Sequence, residues 1–132
     1  MAYIEGALRT RALAHEGTAA LIAARFYAAG EVPQGATLPF VSAQRISTVR
    51  PHAMGADTGL VMARVQVNCV ASSYTGVLAL AEQIRGAFQD YTGTSASVVI
   101  ERIFLDGETD LGFDQPGEAH SRALDFQVWF QE

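Results

Sequence analysis

The stretch VMARVQVNCVASSYTGVLALAEQIRGAFQDYTG, which begins at Val61, changes its period within a few residues. Val61, Ala63, Val65, Val67 and Cys69 alternate with Met62, Arg64, Gln66 and Asn68, so one side of a strand is apolar and the other wetted. Then Tyr74, Val77, Ala81, Ile84, Phe88 and Tyr91 recur at steps of three and four, with Glu82, Arg85 and Gln89 opposite. That is an amphipathic helix. The spacing predicts a strand over Leu60 to Ala71 and a helix that Ser72 or Ser73 caps and Gly93 ends. A half-buried strand feeding so abruptly into an amphipathic helix requires a sheet with a helix lying along it.

The rest of the chain extends that layout. Ile4, Leu8 and Ala12 mark a helix from Ala2 to about His15, and TAALIAAR forms a second helical stretch with Thr18 as N-cap. FYAAGEVPQGATLPF, with Gly30, Pro33, Gly35 and Pro39, reads as a loop. Phe40 to Val49 reads as a strand with poorly separated faces, and Arg50 to Gly59 as a long breaker-rich connection. Ser97 to Leu105 is a third strand, DGETDLGFDQPGEA a second long loop, and Ala119 to Phe130 a fourth strand. His120, Arg122, Leu124, Phe126, Val128 and Phe130 share one face of that last strand, and Trp129, Gln127 and Asp125 lie on the other. The expected fold is α+β, in the order α-β-β-α-β-β. It is an antiparallel four-stranded sheet with helices packed on one face. Residues 1–132 are expected to form a single domain.

Charge narrows the function classes. The net charge is −5, and the nine basic residues are arginines scattered along the chain, so no basic stripe exists to hold nucleic acid. Charged residues make up only 17% and apolar residues 49%, and such a poorly charged surface points to contact with partners. Cys69 is the single cysteine, so no internal disulfide can form, and its place on an apolar strand face makes it a buried small hydrophobe. MAYIEGALRT shows no basic leader or apolar core of a signal, and the apolar runs fall short of a membrane span.

Chemistry-bearing patterns are sparse. Asp106, Glu108, Asp110, Asp114 and Glu118 crowd the second loop. The first three match positions 1, 3 and 5 of a calcium loop, but Leu111 stands where glycine is needed and Glu118 comes one place late. A divalent-metal-binding module at this loop is kept as an alternative. His15, His52 and His120 lack metal-ligand spacing. No GxSxG elbow supports a hydrolase, and GEVPQG follows no strand and opens no helix, so it is no phosphate loop. No cofactor is expected. Trp129 on a polar strand face has the character of an interface anchor.

Taken in order, RFYAAGEVPQGATLPFVSAQRIS, ARVQVNCVASSYTGVLALAEQIRGAF, IFLDGETDLGFD and RALDFQVWFQE resemble the tail-completion family of long-tailed bacteriophages, also called tail terminator or head–tail joining proteins. The likeness covers nearly the whole chain. It implies a structural subunit without catalysis that forms a six-membered ring on the head-proximal end of the tail tube. Such a ring stops tube growth and joins tail to head. Implied partners are further copies of the chain, the tail-tube protein and the head connector or stopper protein, with the tape-measure protein a further candidate. DNA passes through the channel, and no membrane is involved. The implied location is the virion tail, after assembly in the host cytoplasm. Prophage-derived tails and gene transfer agents use similar parts. A head-completion stopper or a tail-tube subunit are the neighbouring alternatives. On this reading the connection holding Arg50, His52, Met54 and Asp57 is the expected protrusion toward the tube or a neighbouring subunit. The loop with Asp106, Glu108, Asp110 and Asp114 is the expected lumen or partner surface. Arg64, Gln66, Gln127 and Trp129 are candidate lateral contacts.

Overall fold

A computed structural model describes residues 3–28, 31–50, 52–53, 56–57, 59–114 and 119–131, with backbone alone at 52–53, 56–57 and 111–114. Three helices, α1 (Ile4–Ala14), α2 (Glu16–Ile22) and α3 (Tyr74–Phe88), accompany eight strands. The strands are β1 (Phe26–Ala28), β2 (Phe40–Val49), β3 (His52–Ala53), β4 (Ala56–Asp57), β5 (Leu60–Ala71), β6 (Gly93–Ser95), β7 (Val98–Asp114) and β8 (Ala119–Gln131). Six of them form one sheet in the order β1-β2-β5-β8-β7-β6, and β3 and β4 form a separate two-stranded ribbon. The mixed α+β class holds. The four-stranded, wholly antiparallel sheet does not, because β1 pairs parallel with β2 and β6 adds a second edge.

The period change at residues 71–74 behaves as the sequence requires. Along β5, Val61, Ala63, Val65, Val67 and Cys69 are buried while the residues between them are half-buried or exposed. Ser73 caps α3, its hydroxyl accepting the Gly76 N–H at 3.0 Å and so satisfying one of the free donors of the first turn. Val77, Leu80, Ala81, Ile84, Ala87 and Phe88 face inward from α3. Phe88 meets Phe126 of β8 edge to face, with centroids 5.4 Å apart. Phe126 is the register partner of Val65, which identifies the buried face of β5 as the one the helix covers. Helix α1 adds Ile4, Ala7, Leu8 and Ala12 to the same core. The buried Ser95 hydroxyl donates to the Ala7 carbonyl at 2.7 Å, tying β6 to α1.

Several boundaries depart from the sequence pattern for local reasons. Helix α2 begins at Glu16 with His15 as its N-cap: the ring Nδ1 accepts the Thr18 N–H at 3.4 Å. Thr18 is therefore inside the helix and buried rather than its cap. Phe26–Ala28, expected in a loop, is strand β1 because it finds the free edge of β2. Helix α3 stops at Phe88, before Gly93. Asp90 turns into the left-handed region (φ 60) and donates its N–H to the Ile103 carbonyl at 2.9 Å, while Gly93 opens β6. Arg11 secures this end, its Nε donating to the Ala87 carbonyl at 2.7 Å and its guanidinium lying 4.4 Å from the Tyr91 ring centroid. A cation there complements the helix dipole. Tyr74 is absent from the buried stripe and is 48% exposed.

The largest correction concerns the acidic segment. Residues 106–114 are a continuation of β7, paired with β8 through register shifts between Leu105 and Gly107 and between Asp110 and Gly112. Two bulges let a strand carry residues that fit poorly in a flat ladder. The connection after β2 is likewise more ordered than a plain loop, since it holds the β3–β4 ribbon with His52 opposite Asp57.

Candidate assembly surface

Because α1 and α3 cover one face of the sheet, the alternate residues form a face that no helix among the described residues covers. Register fixes its rows. Ser42, Asn68, Ala123 and Thr109 are successive cross-strand partners, followed by Gln44, Gln66, Asp125 and Gly107. The next row is Ser47, Arg64, Gln127 and Phe104, and the last is Val49, Met62, Trp129 and Arg102. The middle is small and polar, and the end near the β3–β4 ribbon is apolar.

Of the sequence-derived candidates, Arg64, Gln66, Gln127 and Trp129 share this face. Asp106 joins them: its place in the β7 bulge between Leu105 and Gly107 brings its carboxylate to the Arg64 guanidinium at 2.5 Å, across β8. Trp129 lines an open groove of about 480 Å³ with Leu60, Glu101, Arg102, Phe104 and Gln131. Gln131 donates to Glu101 at 2.5 Å, and Arg102 lies 5.4 Å from the Phe104 ring. Asn68 Oδ1 is buried there without a partner among the described residues.

Glu108 and Asp110 fall elsewhere. Asp110 is the partner of Arg122 at the start of α3, with Arg122 Nε donating to its carboxylate at 2.7 Å and the Tyr74 hydroxyl donating at 3.2 Å. The Arg122 hydrogen bond is the main reason the Asp110 carboxyl sits below the usual carboxylate range, and the same bond holds Arg122 in its charged form more firmly. His120 stacks edge-on to Tyr74 with centroids 6.3 Å apart. Behind them, burial pushes the Cys69 thiol up to about 12. Arg50 is exposed at the end of β2. Met54 lies outside the described residues, as do the side chains of His52, Asp57 and Asp114. Sequence reasoning missed Tyr74, Phe104 and Leu60 as surface groups, because apolar or aromatic residues at the right period read as core.

The acidic side chains among the described residues do not converge. Asp106 is taken by Arg64 and Asp110 by Arg122, and both lie along the extended strand β7 where a calcium loop would wrap them around an ion. No group of three or more His, Cys, Asp or Glu among the described residues could hold a metal. No helix among them is long and apolar enough to cross a membrane.

Among the described residues the chain is an α+β body with a sheet face bare of helices, paired surface charges and two partly open sheet edges. The family model described as tail completion protein gp17 matches residues 6–131, and the chain belongs to that family of bacteriophage tail-completion proteins. Its role is structural, in tail assembly. A solved chain in "Virion of native gene transfer agent (GTA) particle" matches with a TM-score of 0.79. The match covers 98% of this chain and 95% of that one at 13% identity, a likeness of fold. No curated protein matches the chain in sequence.

Proposed function

We propose that copies of this chain form a ring of six on the head-proximal end of a phage tail tube, where the ring stops tube growth and joins tail to head. The observation that carries this reading is the family match running almost end to end, over residues 6–131. The fold likeness to a chain of a gene transfer agent virion supports it. So does the layout of the sheet. The β3–β4 ribbon precedes one end of β5, and the paired ends of β7 and β8, with Asp114 opposite Ala119, lie at the other end of that 12-residue strand. At about 3.3 Å per residue the two ends stand roughly 40 Å apart, so two unlike partners can be met without overlap.

On this reading residues 1–132 act as one domain, by contact and without catalysis, cofactor or metal. The ribbon region with Arg50, His52, Met54 and Asp57 meets one partner. The β7 end with Glu108, Asp110 and Asp114 meets the other. Arg64, Gln66, Asp106, Gln127 and Trp129 form the face between. DNA crosses the channel without being held, as a net charge of −5 favours. The location is the virion tail, reached from the host cytoplasm.

Affinity capture with the purified chain tests the assignment. Tube protein and connector protein should both be retained, at separable sites, with tape-measure protein as the third bait. Retention of connector alone would make the chain a head stopper, and unlimited self-polymerisation would make it a tube subunit.

A further inference from the structure

We infer that the two open edges of the sheet are made for each other: residues 44–49 of β2 in one copy pair antiparallel with residues 107–114 of β7 in the next. The inference rests on the reading that copies assemble side by side, and it identifies the lateral contact.

Both edges are open among the described residues, and each is covered only at one end. On β2, β1 pairs with Val41, Ser42 and Ala43 and leaves the rest of the strand without a neighbour on that side. On β7, β6 pairs with Val98, Val99 and Ile100. The end of α3 serves the next stretch, with Asp90 donating to the Ile103 carbonyl and the Gln89 side chain accepting the Leu105 N–H at 2.7 Å. Beyond Leu105 no element continues the cover. An open strand edge is a template for another chain, and these two are long.

Their chemistry selects which edge meets which. Residues 106–114 carry four acids and no base; Asp106 and Asp110 are paired with Arg64 and Arg122, so between two β7 edges the repulsion falls on the remaining acids. Residues 44–50 carry no acid, and Arg45 is ion-paired with Glu5 of α1 at 3.1 Å, so the β2 edge adds no negative charge of its own. Ile46 and Val49 on this strand are each 50% exposed, an apolar burden that edge strands normally avoid. A β2 edge against a β7 edge is also heterologous, the kind of contact that closes rings.

Direction and stagger agree. β2, β5, β8 and β7 alternate in direction, so the β2 of a rotated copy arrives antiparallel to β7 and continues the alternation. The open parts are not level. Residues 45–49 of β2 lie opposite, through β5, residues 126–129 of β8, whereas residues 107–114 pair with residues 119–125. Joining them offsets each copy by roughly five to six residues, about 18 Å, across four strands about 19 Å wide. That offset tilts the strands by about 45°, which closed barrels of antiparallel strands adopt at about 35–45°.

Amide hydrogen exchange on the assembled and the dissociated full chain reads this contact without assuming a register. Residues 44–49 and 107–114 should exchange at least about tenfold more slowly in the assembly. Ile46→Asp, which sets an acid against the acidic edge, should weaken association at least about tenfold, while Ile46→Lys should not, with circular dichroism confirming the fold of both. Rings that form while both segments exchange as fast as in the dissociated chain would overturn the edge pairing and leave the ring standing. A chain that stays monomeric alone and on tubes would overturn both.

Discussion

Arg64 of β5 and Asp106 of β7 are joined at 2.5 Å across the strand between them, above Gln127. The bond spans the helix-free face and fixes the β7 bulge between Leu105 and Gly107 to the centre of the sheet. Both side chains are more than a third exposed, so water screens the pair and its effect on stability is small. Arg64→Ala should lower unfolding free energy by less than about 1 kcal/mol, read from urea denaturation. Impaired assembly in that variant would then report on the surface.

The core behaves differently. Phe88 and Phe126 are buried and packed edge to face between α3 and the sheet. Phe126→Ala should cost about 3–5 kcal/mol, since the rigid neighbours close only part of the cavity. The same urea titration measures it.

Asp110 sets a pH dependence. Its folded-state pKa lies below the ordinary value because Arg122 and Tyr74 donate to the charged form. A carboxylate so depressed stabilises the fold fully above about pH 4 and loses that contribution as pH falls through its folded value. Asp110→Asn should therefore be less stable than the parent at pH 6, and the gap should narrow as pH falls well below the ordinary carboxylate value of about 4. Urea midpoints across that pH range test this.

Cys69 should be inert. With its thiol pushed up to about 12 by burial, almost no thiolate exists near neutrality. Alkylation at pH 8 should be on the order of a hundredfold slower in the native chain than in urea, because it waits on opening of the sheet. Labelling followed by mass spectrometry measures the ratio.

The central strands were legible because their pattern and their environment coincide. β2 and β5 occupy Phe40–Val49 and Leu60–Ala71, as expected; along β5 the alternating apolar residues on one covered face admit a single register. Residues 106–114 were not legible. Asp, Gly, Glu and Thr are poor or indifferent strand formers as a group, and what makes them a strand is the long apolar β8 beside them. β1 and β6 are three residues each and exist only because neighbouring edges accept them. The His15 cap depended on a ring nitrogen reaching Thr18, a contact no spacing rule encodes. For the site, Arg64, Gln66, Gln127 and Trp129 fell on one face by period two alone. The arrival of Asp106 among them required a bulge.

Electron microscopy of tail tubes polymerised with and without the purified chain tests the central claim most directly. Tubes grown with it should end in a ring of six copies at one tip only, and should stop lengthening once that ring is seated. Tubes that keep growing at both tips, with the chain absent from either, would contradict a role as the closing ring of the tail.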